Sequence, residues 1–242
     1  MKPVFYDLHL HSCLSPCGDM DMTPNNIVNM SLLKGLELIA LTDHNSSKNC
    51  PAVLEAAAGT GLAVIPGMEL TTAEEIHVVC LFPTLEAALG FDQYVHDRLA
   101  PVQNAPDIFG EQLVLDGQDQ PMGQEELLLI NATSIGISQA PAAVAAFGGL
   151  CYPAHIDRPS NSVLANLGFL PPECGFTALE VKEPEKFFAG GAHGEYWDGY
   201  HILTSSDAHY LEQINERERC LHLETADFWG LRAWIESERA TG

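Results

Sequence analysis

The sequence predicts an α/β protein: a mostly parallel sheet with helices covering its faces. Three observations point there. Short apolar, β-rich runs alternate along the chain with segments that read as helices. The chain has 242 residues and is 46% hydrophobic, enough for a real core, and α/β barrels reach this length as one unit, so residues 1–242 are expected to form a single domain. Finally, histidines and carboxylates recur where the strand runs end, the edge at which parallel α/β folds place their active sites.

In chain order, strands are expected at VFYDLHL (4–10), LELIALTD (36–43), LAVIPG (62–67), IHVVCLF (76–82), GGLCYPAH (148–155), TALEVK (177–182), YHILTSSD (200–207) and CLHLE (220–224). The first helix, TPNNIVNMSLLKG, has Thr23 as its cap, Pro24 in the first turn and Gly35 past its end. Further helices are expected at 50–61, 83–99, 138–149 and 226–240. Residues 100–137 break the rhythm. They read as an excursion from the core, a hairpin built from QLVL and LLLI with its loop at DGQDQPMG, and either a surface insertion or a lid.

Eleven basic against 33 acidic residues give a net charge of −22. Binding of a long nucleic-acid duplex rests on many Lys and Arg contacts to phosphate, so the expected partner is a small phosphorylated substrate and not a long duplex. No apolar run is long enough to span a bilayer and the N-terminus lacks a secretion pattern, which implies no membrane partner. Seven cysteines, an odd number without a framework pattern, fit a reducing compartment, and a cytoplasmic location is expected. Oligomeric state is not encoded in any of this.

Read as a strand, YDLHLH puts Asp7, His9 and His11 on one face and Tyr6, Leu8 and Leu10 on the other. His9 and His11 end the first strand, Asp43 and His44 the second, His155 the fifth, and Asp207 and His209 a later one; Glu69 follows the third. His77 is the exception, near the start of its strand. An HxH pair alone is a weak signal, and a lone histidine on a strand is usually a core residue. Six of ten histidines at such positions, with three acids, are not independent accidents. His96, His193, His201 and His222 are left as structural or surface residues. Imidazole mixed with carboxylate suits Mn, Fe or Zn rather than Ca. Glu69 can bridge two ions, and the donors exceed what one catalytic ion uses, so two or three divalent transition ions are expected. Such ions neutralise phosphate charge and generate hydroxide near neutral pH, which is what phosphoryl transfer to water needs.

DLHLHS, LTDHN, PGMEL, EIHVV, YPAHIDRP and SSDAH, in this order from residue 7 to 209, resemble the successive motifs of the PHP (polymerase and histidinol phosphatase) superfamily. The resemblance implies a distorted (β/α)7 barrel with a trinuclear metal centre at the C-terminal ends of the strands, and a metal-dependent phosphoesterase. It implies a first metal on His9, His11, Glu69 and Asp207, a second sharing Glu69 with His77 and His155, and a third on His44, His209 and one ligand from the loop after HxH. Glu69, Asp207 and His209 would be the catalytic groups, and Asp7 and Asp43 would orient ligand imidazoles. In the loop the chain departs from the family's common HSxxSDG: it reads HSCLSPCGD, with Cys17 where an aspartate is usual. Cys17 is the first candidate ligand, since thiolate binds Zn or Fe(II) well, and Asp19 is the alternative.

Arg158, one of six arginines and three residues after His155, is the candidate phosphate fork, with Lys182 a weaker second. The expected reaction is hydrolysis of a small phosphomonoester or phosphodiester by a metal-activated hydroxide. The rivals are an exonuclease for short oligonucleotides, a non-catalytic metal-binding regulatory module, and an amidohydrolase-type C–N hydrolase, whose usual bridging lysine is here replaced by Glu69.

Overall fold

The structure, a computed structural model, describes residues 1–237; the last residues of the helix expected at 226–240 lie outside them. In chain order the elements are β1 (Lys2–Leu10), α1 (Pro24–Leu33), β2 (Leu38–Leu41), α2 (Cys50–Ala57), β3 (Ala63–Thr71), β4 (His77–Leu81), α3 (Leu85–His96), α4 (Pro106–Phe109), β5 (Leu113–Leu115), β6 (Pro121–Gln124), α5 (Ala140–Ala146), β7 (Leu150–Pro153), α6 (Val163–Leu167), β8 (Ala178–Glu180), α7 (Pro184–Phe187), α8 (Gly194–Gly199), β9 (His201–Leu203), β10 (Cys220–Leu223) and α9 (Phe228–Ile235). Helix starts follow local chemistry. The side chains of Thr23, Thr84 and Asp227 accept from the backbone N–H groups of Asn26, Ala87 and Gly230, satisfying donors that the first turn leaves open.

The main sheet has the order β10-β1-β2-β3-β4-β7. Only the β1–β2 and β2–β3 pairings are parallel; β4 is antiparallel to both β3 and β7, so β7 runs the same way as β3, and β10 is antiparallel to β1. The expected mostly parallel sheet is therefore mixed. The cause is loop length: residues 72–76 join β3 to β4, and a parallel return needs a crossover of a dozen residues or more. β8 and β9 form a separate parallel pair. Ile156 N–H donates to the Glu180 carbonyl at 2.9 Å, and Leu10 bridges Ala208 in parallel fashion, so this pair fills the space between β7 and β1. The result is a mixed α/β fold with a curled, half-barrel sheet.

Apolar residues pack both faces. Tyr6, Leu8, Leu38, Ala40, Val79, Tyr152 and Leu203 form one cluster with α9. Leu10, Ile39 and Leu41 pack with α1 and α2, and Val78 and Cys80 with α3 and α5. A register irregularity between Asp7 and Leu10 breaks the simple alternation expected of β1, sending Leu8 and Leu10 to different clusters. The excursion does contain a hairpin, β5–β6, but its second strand is Pro121–Gln124 and not LLLI. Leu129 of that run is buried instead against Leu14 and Leu99. Leu113 N–H donates to the Cys13 carbonyl, and the Asn45 amide donates to the Leu129 carbonyl, which seats the excursion on the loops after β1 and β2. Among the described residues no helix is long and apolar enough to cross a membrane.

Candidate metal centre

Strand direction explains how the site assembles. The ends of β1, β2, β3, β7, β8 and β9 lie at one edge. Because β4 runs the other way, with Thr71 opposite His77, its start lies at that same edge. His77, the odd member of the series in sequence, is thereby delivered beside Glu69. Both His155 and Asp207 have left-handed backbone, φ 28° and 51°, which costs strain in a residue with a β-carbon and concentrates at functional positions.

Glu69 is fully buried at the centre. One carboxylate oxygen lies 3.1 Å from His9 Nε2, 2.9 Å from His77 Nδ1 and 3.2 Å from His155 Nε2. The other lies 2.9 Å from His44 Nδ1 and 3.4 Å from His11 Nε2. Asp207 Oδ1 lies 3.5 Å from His9 Nε2, 3.2 Å from His11 Nε2 and 3.7 Å from His209 Nδ1. Three sets of donors are each close enough to share an ion: His9, His11, Glu69 and Asp207; His44, Glu69 and His77; and His11, His44 and His209.

The donor set fits cations. His9 Nε2, His11 Nε2, His44 Nδ1, His77 Nδ1 and Glu69 Oε2 are buried without a hydrogen-bond partner, although buried polar atoms are nearly always paired. Tautomers point the same way. The Glu180 carboxylate accepts from His9 Nδ1–H at 3.0 Å, which leaves Nε2 as the ring nitrogen facing the cluster. Ser15 Oγ donates to Asp43 at 2.7 Å and so accepts from His11 Nδ1–H at 3.0 Å, with the same consequence. His209 Nδ1–H donates to the Asp207 carbonyl. Burial opposes charge throughout, yet Glu180, Glu69 and Asp207 hold His9 well above the usual imidazole range. Burial together with His209 and His44 holds His11 well below it. Burial would raise Glu69, but His77, His9 and His44 keep it well below the usual carboxylate range.

The profile of the PHP domain family matches residues 7–223. The chain belongs to the PHP domain family. The 5'-3' exoribonuclease Rnm of Salmonella typhimurium is 37% identical to this PHP chain over 83 residues, 32% of this chain and 27% of that protein. The Escherichia coli Rnm is 35% identical over the same length and shares. The match thus spans about a quarter of these curated relatives. The lesion-specific endonuclease EndoQ from Pyrococcus furiosus has the same fold at a TM-score of 0.69 and 18% identity, covering 97% of this chain and 56% of that one. Endonuclease Q has also been solved with a 27-mer duplex carrying an abasic lesion at its active site, with a TM-score of 0.68 and 18% identity over 97% of this chain and 57% of that one. The expectation of a small substrate and no duplex is overturned by that complex: a protein of this fold takes duplex DNA. Net charge describes the whole surface, whereas binding is decided by the charges at the cleft.

The remaining candidates fall into two groups in this PHP chain. Cys17 lies on an exposed turn beside His209 and His44. Burial pushes its thiol up, but the His44 charge and the two histidine hydrogen bonds outweigh it and bring it down to about 6. Arg158 and Lys182 both reach Asp207, Arg158 through a direct hydrogen bond and Lys182 at 3.9 Å. Asp19 is not brought into the cluster; its carboxylate accepts from Asp21 N–H in its own turn. Asp7 orients no imidazole. It accepts from Ser206 N–H at 2.9 Å and Asn215 N–H at 3.0 Å, fixing the segment that carries Asp207 and His209. Asp43 reaches His11 through Ser15. Glu180 and Ser15 escaped sequence reasoning. The usable signal for Glu180 was a carboxylate closing an apolar strand, ALE, at the same edge as the ligands. The four histidines left aside lie elsewhere, with His193 stacked on Phe187 and His201 against Trp234.

Proposed function

We propose that this chain, as one domain over residues 1–242, hydrolyses phosphodiester bonds of nucleic acid. It would use two or three Mn, Fe or Zn ions held by His9, His11, Cys17, His44, Glu69, His77, His155, Asp207 and His209. The observation that carries the reading is the convergence of unpartnered ring nitrogens and a carboxylate oxygen on Glu69, with Arg158 and Lys182 at the rim. When bound, such ions act as Lewis acids, lower the pKa of water and clamp attacking and leaving oxygens. The chain's own residues do the positioning. Glu69 offers both oxygens to separate imidazole sets, as a bridging carboxylate does. Glu180 and Ser15 fix the tautomers of His9 and His11. Arg158 and Lys182, 43% and 42% exposed, are free to turn from Asp207 to the oxygens of an entering phosphate. Their exposure leaves the rim open to a polymer. That the named relatives are an exoribonuclease and a lesion-specific endonuclease supports a strand as substrate. Free cysteines support action in a reducing cytoplasm.

The test offers the Mn-supplemented protein 5'-phosphorylated RNA, single-stranded DNA, a lesion-bearing duplex, bis-p-nitrophenyl phosphate and p-nitrophenyl phosphate, with elemental analysis after dialysis. Strand hydrolysis with two to three equivalents of metal is expected. Turnover of the monoester alone, or one equivalent or less with no activity on adding Mn, Fe or Zn, would overturn the reading.

A further inference from the structure

Three cavities follow one another beside the cluster. The first, about 210 Å³, is lined by Arg158, Lys182 and Lys186 together with Asp157 and Glu183, the last paired with Lys186. The second, about 450 Å³, shares Lys182 and passes Ser205 and Ser206, the residues leading into Asp207, to reach Asn215 and Arg219. The third, about 810 Å³, shares Thr204, Glu218 and Arg219 with the second and is lined by the aromatic rings of Phe188, Trp197 and Trp234. None of these rings belongs to the metal centre.

The chemistry changes along this path from charged, with basic groups in excess, to polar, to aromatic. A nucleotide has the same order: phosphate, sugar, base. The middle cavity is lined by Thr204, Ser205, Ser206 and Gln213, whose polar groups suit a sugar, while Glu216 and Glu218 discourage a second phosphate. In the aromatic cavity Phe188 and Trp197 already meet edge to face at 5.1 Å, and Trp234 is braced by the His201 ring at 4.5 Å, so these surfaces are held in place before any ligand arrives. A volume of about 810 Å³ lies in the range of small-ligand sites. Every base has a flat π-face that stacks on such rings whatever its identity.

We propose that the aromatic cavity receives a nucleobase of the strand whose phosphate sits at Arg158 and Lys182. This rests on the nuclease reading and adds to it: the substrate is a strand with at least one base free to leave its stack, as in a single strand, a frayed end or a damaged site. Stacking on aromatic side chains tolerates any sequence, so the site selects for an unpaired base rather than for a particular one.

The experiment places 2-aminopurine, a fluorescent base, in turn at each nucleotide beside the cleaved bond of an oligonucleotide. At one position the metal-loaded protein should quench it. The Phe188→Ala/Trp197→Ala variant should lose that quench and raise KM at least ~10-fold, the scale of one lost base stack, with kcat little changed. A tetrahydrofuran abasic nucleotide at that position should cost the unmodified protein the same factor and the variant nothing. If the abasic strand is cleaved as well as the intact one, the cavity assignment is overturned and the nuclease reading stands. If the loaded protein cleaves no strand at all, the nuclease reading fails and the cavity proposal with it.

Discussion

His9 and Cys17 are eight residues apart in the chain and occupy opposite regimes. His9 has no exposed surface, one ring nitrogen clamped by Glu180 and the other aimed at Glu69 and Asp207. Cys17 stands on an exposed turn beside His44 and His209. Rim groups such as Arg158 and Lys182 resemble Cys17 in exposure. The inner part of the centre is thus fixed by partners that bind nothing themselves, while the rim is adjustable. Preorganisation inside and adaptability outside are what the proposed strand hydrolysis needs.

The sharpest way to break this contrast is at the centre. Glu69→Gln should lower kcat at least ~100-fold and reduce the metal count, because an amide cannot replace a carboxylate shared by two cations. A folded variant that keeps most of its turnover would remove Glu69 from the chemistry. One shell further out, Glu180→Gln leaves the His9 nitrogen with a weaker acceptor. Competition against a chromophoric chelator should show metal affinity falling by about 10–100-fold. Unchanged affinity would mean that His9 needs no clamp. Asp7→Asn places an amide donor against a backbone N–H and should cost about 1–3 kcal/mol in urea unfolding, with a looser Asp207–His209 segment. A midpoint that does not move would show that segment to be held by other contacts.

The smallest effect is expected at the rim. The Cys17 thiol is brought down to about 6, so thiolate prevails above that pH and is lost below it. Iodoacetamide should therefore label metal-free protein readily at pH 7, more slowly as pH falls through 6, and slowly at either pH once metal is bound. Cys17→Ala should lose one ion, and Cys17→Asp should keep it with a preference shifted from Zn toward Mn. Equal labelling with and without metal, together with an unchanged count in Cys17→Ala, would take Cys17 out of the ligand set.

What could be read from the sequence tracks this contrast imperfectly. The positions of His9, His11, His44, Glu69, His77, His155, Asp207 and His209 stood out because ligand-type residues rarely gather at strand ends by chance. Eight strand runs and the larger helices stood out by hydrophobic period. Strand direction did not, because a side-chain pattern of period two is the same read either way. The misplaced His77 was in fact the trace of the reversed β4. Glu180 was hidden among 33 acidic residues, since nothing local separates a clamp from a solvated carboxylate. Asp7 shows the converse error: alternation suggested a partner for a ligand imidazole, whereas its carboxylate accepts from the backbone N–H groups of Ser206 and Asn215.

The short β3–β4 connection also decides where the chain can change length. Glu69 pairs with Val79 and Thr71 with His77. Adding one residue within 72–76 would slip that register by one and flip the faces of β4, turning His77 away from the centre and Val78 into it. The tip of the β5–β6 hairpin at 116–119 is tied down as well: the Asp119 carboxylate accepts from Thr23 Oγ1 and Asn25 N–H at the start of α1, and Gln118 donates to Glu55, so extra residues there would cost these contacts on top of the slowly growing loop entropy. Family members are therefore expected to differ hardly at all in length between their third and fourth strands.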